Sequence, residues 1–190
     1  IAVHMTQLTE AEIHLCAERG VSVVHCPESN LKLASGLCPA CALDRAGVNL
    51  AIGTDGCASN NDLDMVGETR TAALLAKAVA QDAAALDAFT ALRAATLGGA
   101  RAIGFDHLVG SLEPGKQADI ACIDLAALET QPLHHVVSQL VYAAGRHQVR
   151  DVWIAGVRKL ADYRLADMDA DALVAKARVS RERIAQVRSA

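Results

Sequence analysis

The chain has 190 residues, of which 52% are hydrophobic and 21% charged, so it is long enough to bury a core and does not resemble a disordered protein. The net charge of −4 and the aromatic content of 3% provide no basic surface for nucleic acid and no stacking platform for single strands. No apolar run reaches the roughly 18 residues of a membrane span, so we expect neither a nucleic acid nor a membrane as a partner.

The first part of the sequence predicts alternating strands and helices. Short apolar runs typical of buried strands occur at residues 1–3, 21–25 and 48–52. A helix with a capping box is predicted over residues 9–20, and a short helix over residues 39–46. Strand and helix follow each other at close spacing, which indicates a parallel sheet with right-handed crossovers.

The segments that follow the second and third strands are polar. Residues 27–36 and 56–62 are predicted to be loops. Helices are then expected over residues 63–79, 88–95 and 96–104, the first of them rich in Ala and Leu and the last rich in small residues. Small residues allow a helix to pack closely against its neighbour, so we expect these helices to cover the sheet.

The character of the sequence changes near residue 108. Residues 110–116 are rich in turn formers, and an apolar strand is predicted over residues 118–125. A hairpin is predicted over residues 149–160, and a charged helix over residues 169–187. We therefore expect three parts: a barrel segment (1–107), a small β module (108–165) and a C-terminal helix (166–190).

Six cysteines lie at irregular spacing, which does not indicate a disulfide framework in a chain of this length. Cys38 and Cys41 form one C-x-x-C pair, the kind of pair that supplies half of a zinc site or a redox motif. No second pair follows at zinc-finger spacing, so we interpret both cysteines as structural residues.

Three residues at the ends of the predicted strands carry the chemistry: His4, His25 and Asp55. The carboxyl ends of the strands in a parallel barrel meet at one face, so these side chains are expected to form one site. A carboxylate at the end of a buried strand is costly unless it is paired or binds a metal, and histidine is the commonest metal ligand. The residue types predict metal-assisted hydrolysis or hydrolytic deamination, in which Asp55 also takes a proton and His25 orients water or polarises the attacked group.

Residues 3–6, 23–36 and 53–65 resemble the methylthioadenosine/S-adenosylhomocysteine deaminase branch of the amidohydrolase superfamily. Residues 95–104 and 110–119 are similar to amidohydrolases in general. The resemblance implies an α/β fold that comprises the C-terminal part of a (β/α)8 TIM-type barrel. It also implies a small appended β-sandwich module that is made from both chain ends.

Carried over to this sequence, the resemblance implies that His4 is the metal ligand of the fifth strand and that His25 is the sixth-strand histidine near the attacked ring carbon. It implies that Asp55 lies on the eighth strand, binds the metal and moves protons. Many relatives have a Glu three residues after the fifth-strand histidine, in contact with the substrate. Here that position is Gln7, whose amide binds a purine nitrogen but does not transfer a proton in the same way.

The implied function is that of a metal-dependent hydrolytic deaminase, with one divalent ion, zinc, which releases ammonia from 5'-methylthioadenosine or S-adenosylhomocysteine. The alternatives are guanine-like, pterin or triazine substrates, or an inactive scaffold, because the first-strand His-x-His of the family does not occur in this sequence. The chain begins at Ile1 within a predicted strand, so we expect the missing half of the site upstream. We also expect a cytoplasmic homo-oligomer, a dimer or a tetramer, with a small nucleoside substrate.

Overall fold

The computed structural model describes residues 1–188, and in that part of the chain the strands form two sheets. The first sheet is parallel and has the order β1 (Ala2–Val3), β2 (Ser22–His25), β3 (Asn49–Ile52). The second is antiparallel, and its strands in order are β4 (Ile120–Ile123), β5 (Val149–Ile154), β6 (Val157–Ala161) and β7 (Arg164–Leu165). The prediction of an α/β fold is confirmed, as are the parallel strands and the hairpin.

Helices connect and cover the strands. Among the described residues, no helix is long and apolar enough to cross a membrane. The α-helices are α1 (Glu10–Glu18), α2 (Pro27–Lys32), α3 (Ala40–Arg45), α4 (Cys57–Asn60), α5 (Met65–Ala80), α6 (Ala88–Arg93), α7 (Gly99–Ala102), α8 (Val136–Tyr142) and α9 (Ala170–Arg188). A π-helix spans Ala94–Gly98, and short 3-10 turns span Leu128–Thr130 and Arg146–Gln148. Helix α8 was not expected from the sequence.

The start of α1 follows the predicted capping box. The hydroxyl of Thr9 accepts a hydrogen bond from the backbone N–H of Glu12, and the Glu12 carboxylate accepts one from the backbone N–H of Thr9 at 2.8 Å. Gly20 follows the helix with a φ of 61°, a backbone conformation that glycine adopts at little cost. The chain can therefore turn directly into β2.

Two segments that the sequence predicts as loops contain short helices. Residues 27–36 include α2, which begins at Pro27, and residues 56–62 include α4. Proline fits the first position of a helix because its missing N–H would have no partner there. The prediction of pure loops was wrong because the proline and the polar residues are equally typical of a helix start and of a turn.

The helix predicted over residues 96–104 begins earlier, because the π-helix Ala94–Gly98 continues directly from α6. A Cβ atom on Gly98 would overlap the carbonyl oxygen of Leu50 in β3. Glycine is therefore required where this helix contacts the strand, in agreement with the small residues noted in the sequence.

The pairing of the three parallel strands corrects one implication of the family resemblance. β2 pairs with β3 from Ser22 opposite Asn49 to His25 opposite Ile52, and β1 pairs with the other edge of β2. No strand separates β2 from β3, so the three strands are consecutive. Neighbouring strands of a (β/α)8 barrel have consecutive numbers, so β2 and β3 cannot be the sixth and the eighth strand. The strand numbers five, six and eight that the resemblance implies are therefore wrong for at least one strand.

The core lies between the parallel sheet and the helices that cover it. Val23 of β2 and Leu50 of β3 pack in one cluster with Leu43 of α3, Ala72 of α5 and Ala91 of α6. Helix α8 joins the same cluster through a buried valine, and α5 carries an Arg side chain that donates to two carbonyl groups at the end of α8. Helix α8 therefore packs in the same core as the parallel sheet and α5.

Candidate active site

Both parallel strands that flank β2 end in an unusual backbone conformation. His4 follows β1 with a φ of 69°, and Asp55 follows β3 with a φ of 61°. Positive φ is uncommon for residues other than glycine, and such conformations concentrate at functional sites. The alternation of side chains along each strand ends here, so the direction of these two side chains is set by the turn instead of by the strand.

The two residues face each other across the end of the sheet. The Nε2 atom of His4 lies 3.9 Å from Oδ2 of Asp55. The ring Nδ1 of His4 lies 2.8 Å from Oδ1 of Asn30, which accepts a hydrogen bond and therefore places the ring proton on Nδ1. In the neutral ring Nε2 is then an acceptor, so Nε2 and Oδ2 together suit a cation or a proton donor between them.

Hydroxyl groups hold the Asp55 carboxylate in place. Oδ2 accepts hydrogen bonds from Ser59 Oγ at 2.6 Å and from Ser29 Oγ at 2.7 Å. These bonds, the Ser59 bond first, lower the pKa of Asp55 to about 2, so the carboxylate is charged at neutral pH. Because both donors are neutral, the negative charge stays available to attract a cation.

His25 occupies a different environment. It is 1% exposed, and its Nδ1 atom has no hydrogen-bond partner among the described residues. Burial, followed by the nearby His4, lowers its pKa to about 4, so the ring is neutral. His25 lies two residues after Val23, so it projects from the face of β2 that packs on the helices. The structure brings His4 and Asp55 together and places His25 in the core beside them.

Gln7 lies at the edge of the site. Its side-chain amide donates a 3.2 Å hydrogen bond to the carbonyl of Ser35, and Thr6 donates to the same carbonyl. A Cβ atom on Gly36 would come within 2.6 Å of the Gln7 amide nitrogen, so glycine leaves space for this contact. Gln7 therefore holds the segment after α2, and the described contacts do not place it against Asp55.

The side chains present fit part of a metal site. The 3.9 Å between His4 Nε2 and Asp55 Oδ2 is less than the sum of two zinc–ligand bonds of about 2.1 Å, so one ion can contact both atoms. Catalytic zinc usually has about three protein ligands, and the described residues include no group of three or more His, Cys, Asp or Glu arranged to hold a metal. The described residues therefore supply a pair of candidate ligands and not a complete set.

Several side chains that shape the site were not recognised in the sequence. They are Ser29, Asn30 and Ser59, which contact Asp55 or His4 directly. All three lie in the stretches that resemble the deaminase family, within the segments predicted as loops. Their polar side chains directly after strand-end residues are the signal that would have identified them.

Parallel strands with polar side chains at their carboxyl ends define an α/β protein of the class that builds one site from several strand ends. The model of the amidohydrolase family matches residues 1–159. The chain belongs to the amidohydrolase family.

Two curated relatives are named 5-methylthioadenosine/S-adenosylhomocysteine deaminase. The protein from Teredinibacter turnerae is 52% identical over 96% of this chain, and the protein from Moorella thermoacetica is 48% identical over 93%. In each case the matched region makes up 41% of the relative. The chain therefore spans less than half the length of these relatives.

Two solved structures show the same fold. An adenosine deaminase from Xanthomonas campestris with bound zinc is 78% identical, with a TM-score of 0.96 over 97% of this chain and 42% of that protein. The zinc complex of an atrazine chlorohydrolase from Arthrobacter aurescens is 29% identical, with a TM-score of 0.85 over 92% of this chain and 39% of that protein. Both contain zinc, which is consistent with the metal that the sequence predicts.

Proposed function

We propose that this chain forms part of a metal-dependent hydrolytic deaminase that acts on the adenine ring of 5'-methylthioadenosine or S-adenosylhomocysteine and releases ammonia. The observation that carries the proposal is the facing pair of His4 Nε2 and Asp55 Oδ2, 3.9 Å apart at two strand ends of one sheet. The names of the two curated relatives support the substrate class.

Asp55 is proposed to hold a divalent ion, zinc, and to carry a proton during the reaction. A bound divalent ion lowers the pKa of water to near neutrality. The two serine hydroxyls keep the Asp55 carboxylate ionised and fix one of its oxygens, so the other oxygen is available to accept a proton. General acid–base catalysis of this kind needs a group within hydrogen-bond reach of the proton that it moves.

The role of His4 depends on the position of β1 in the barrel. The sequence predicts a metal ligand of the fifth strand. If Asp55 follows the eighth strand, the consecutive pairing of β1, β2 and β3 makes β1 the sixth strand. The role that the resemblance gives to the sixth-strand histidine, close to the attacked ring carbon, then belongs to His4. We favour this role, and the metal content of a His4 variant distinguishes it from ligation.

The prediction that His25 is catalytic stays a prediction. Its burial and its position on the helix-facing side of β2 support a role in the shape of the site over direct contact with the substrate. Gln7 is proposed to bind the substrate through its amide. Because the Gln7 amide contacts Ser35, a substrate that displaces the Gln7 side chain would also move the segment after α2.

We propose that β1 to β3 with their helices complete a (β/α)8 barrel together with residues outside this chain. The parts 1–107, 108–165 and 166–190 are proposed as the barrel segment, the small β module and the C-terminal helix. The four-stranded antiparallel sheet supplies one layer of the proposed β-sandwich. The second layer is proposed to come from residues outside this chain.

The substrate is proposed to be a small nucleoside, and the protein to be a cytoplasmic dimer or tetramer. All six cysteines are free, which fits a reducing compartment. Leu74 and Val79 of α5 are 51% and 40% exposed, which supports an apolar contact between subunits. Sedimentation equilibrium of the full-length protein tests the assembly.

Release of ammonia by the full-length protein, and of chloride from the chlorinated triazine, tests the function. The panel contains 5'-methylthioadenosine, S-adenosylhomocysteine, adenosine, guanine, a pterin and a chlorinated triazine. We expect turnover of the adenosine thioethers, lost on chelation and restored by zinc. Zinc-loaded protein that acts on guanine, the pterin or the triazine but on neither thioether would contradict the proposal.

A further inference from the structure

A buried carboxylate beneath the site joins the two segments that carry its polar residues. Glu68 of α5 has no exposed surface. Its Oε1 accepts a hydrogen bond from the backbone N–H of Glu28 at 3.0 Å, and its Oε2 accepts one from the Asn60 amide at 2.9 Å. Glu28 lies in α2 and Asn60 in α4, so one side chain contacts the segments after both β2 and β3.

The contact with Glu28 acts as the N-terminal cap of α2. The first N–H groups of a helix need partners from outside the helix. Cys26, at the N-cap position, makes no side-chain capping bond, and the Glu68 carboxylate takes that place from a different helix. The first turn of α2 is therefore anchored to α5, and this turn carries Ser29 and Asn30.

The contact with Asn60 fixes the other segment. The same Asn60 amide also donates to the carbonyl of Thr54 at 2.8 Å, directly before Asp55. Glu68 therefore orients the group that ties α4 to the end of β3. The positive φ of Asp55 needs such support, because the surrounding structure must hold an uncommon backbone conformation in place.

The two anchored segments control the facing pair. From α2, Ser29 donates to Asp55 and Asn30 accepts from His4. We infer that Glu68 is a positioning residue of the proposed deaminase site: it sets the distance between His4 and Asp55 through α2 and α4 without touching either residue. This inference rests on the proposed function only for its kinetic consequence.

Three variants of the full-length protein separate positioning from general stability. Glu68→Ala removes both acceptors. Glu68→Gln has one acceptor oxygen in place of two, so it can keep only one of the two contacts. Ala76→Gly, a buried position on the same helix, lowers helix stability without changing these hydrogen bonds.

Hydrogen–deuterium exchange is measured over residues 27–36 and 54–62. We expect Glu68→Ala to raise exchange in both segments and Glu68→Gln to raise it in one of them, with kcat lowered roughly 10- to 100-fold in Glu68→Ala and KM changed less. Ala76→Gly should leave both segments and kcat near the wild-type values.

The inference is overturned if exchange in the two segments is the same in the Glu68 variants as in Ala76→Gly. It is also overturned if both Glu68 variants keep the exchange and the kcat of the wild type. If Glu68→Ala does not fold, Glu68→Gln decides the outcome by itself. The exchange measurement needs no turnover. An inactive wild-type protein would therefore contradict the proposed function while the exchange pattern still tests the position of the segments.

Discussion

Two aspartates, one in each region of the molecule, have lowered pKa values for different reasons. Asp151 in β5 is 3% exposed and binds the guanidinium groups of Arg150 and Arg158 and the backbone N–H of Asp162. Asp55 at the end of β3 binds two serine hydroxyls and faces a histidine that is not hydrogen-bonded to it. The first charge is neutralised by two guanidinium groups, whereas among the described residues the second is held by neutral hydroxyls beside a histidine that is cationic only when protonated.

The difference indicates which carboxylate is structural and which is functional. A charge that already has cationic partners stabilises the sheet and gains nothing from a further ion. A charge held only by neutral donors is oriented without being neutralised, which is the state that a metal site needs before the metal binds.

Replacement of Asp55 should have the largest effect. We expect Asp55→Asn to lower kcat of the full-length protein roughly 1,000-fold, because the variant loses both the ionised group and its capacity to move a proton. Zinc content, measured by mass spectrometry, should fall while the circular dichroism spectrum is unchanged. Normal zinc content and normal turnover in Asp55→Asn would contradict a functional role of this carboxylate.

Replacement of His4 separates its two possible roles. We expect His4→Asn to lower kcat about 100-fold and to retain the zinc content of the wild type, as a histidine near the reacting atom would. Zinc content and kcat are measured on the same preparation. A loss of zinc parallel to that of the Asp55 variant would instead establish His4 as a ligand, as the sequence predicts.

Replacement of Asp151 should affect stability and spare the site. We expect Asp151→Asn to lower the Tm by roughly 5 °C, with kcat per folded molecule unchanged. The partners of Asp151 hold its pKa far below the usual range, so its stabilising contribution is complete above about pH 4 and is lost as the pH falls. Urea unfolding between pH 2 and 6 should therefore be less pH-dependent in the variant.

Glu68 should give a pH dependence of the opposite sign. Burial raises its pKa from 4.5 to about 7, so in this window the folded protein keeps a proton that the unfolded chain has lost. Its contribution to stability therefore falls as the pH rises from 4.5 to 7. Urea titrations should show a flatter profile in Glu68→Gln than in the wild type.

The smallest effect is expected where the two regions meet at the surface. Arg146 donates to Asp62 at 2.9 Å, and their side chains are 63% and 42% exposed. Exposed ion pairs contribute little, so Arg146→Ala should change the free energy of unfolding by less than about 1 kcal/mol. A larger change in urea unfolding would show that contact between the regions supports the site.

The strand ends were the most predictable part of the site. Val23 and Ile52 lie in apolar runs that are typical of buried strands, and the candidate residues that the sequence predicts follow these runs. The sequence predicted less well which of these candidate residues lie close to one another in space. His25 has the same relation to its strand as His4 in the sequence, yet the positive φ of His4 turns only that side chain toward Asp55.

The sequence by itself determined the α/β fold, the parallel strands, the capping box of α1 and the family, because hydrophobic periodicity, caps and extended similarity are local and linear signals. The tertiary structure decided that the strands are consecutive, that Ser29 and Ser59 orient Asp55, and that Glu68 caps a helix 40 residues away. These contacts join residues that are distant in sequence, and they depend on backbone angles and packing that no local pattern encodes.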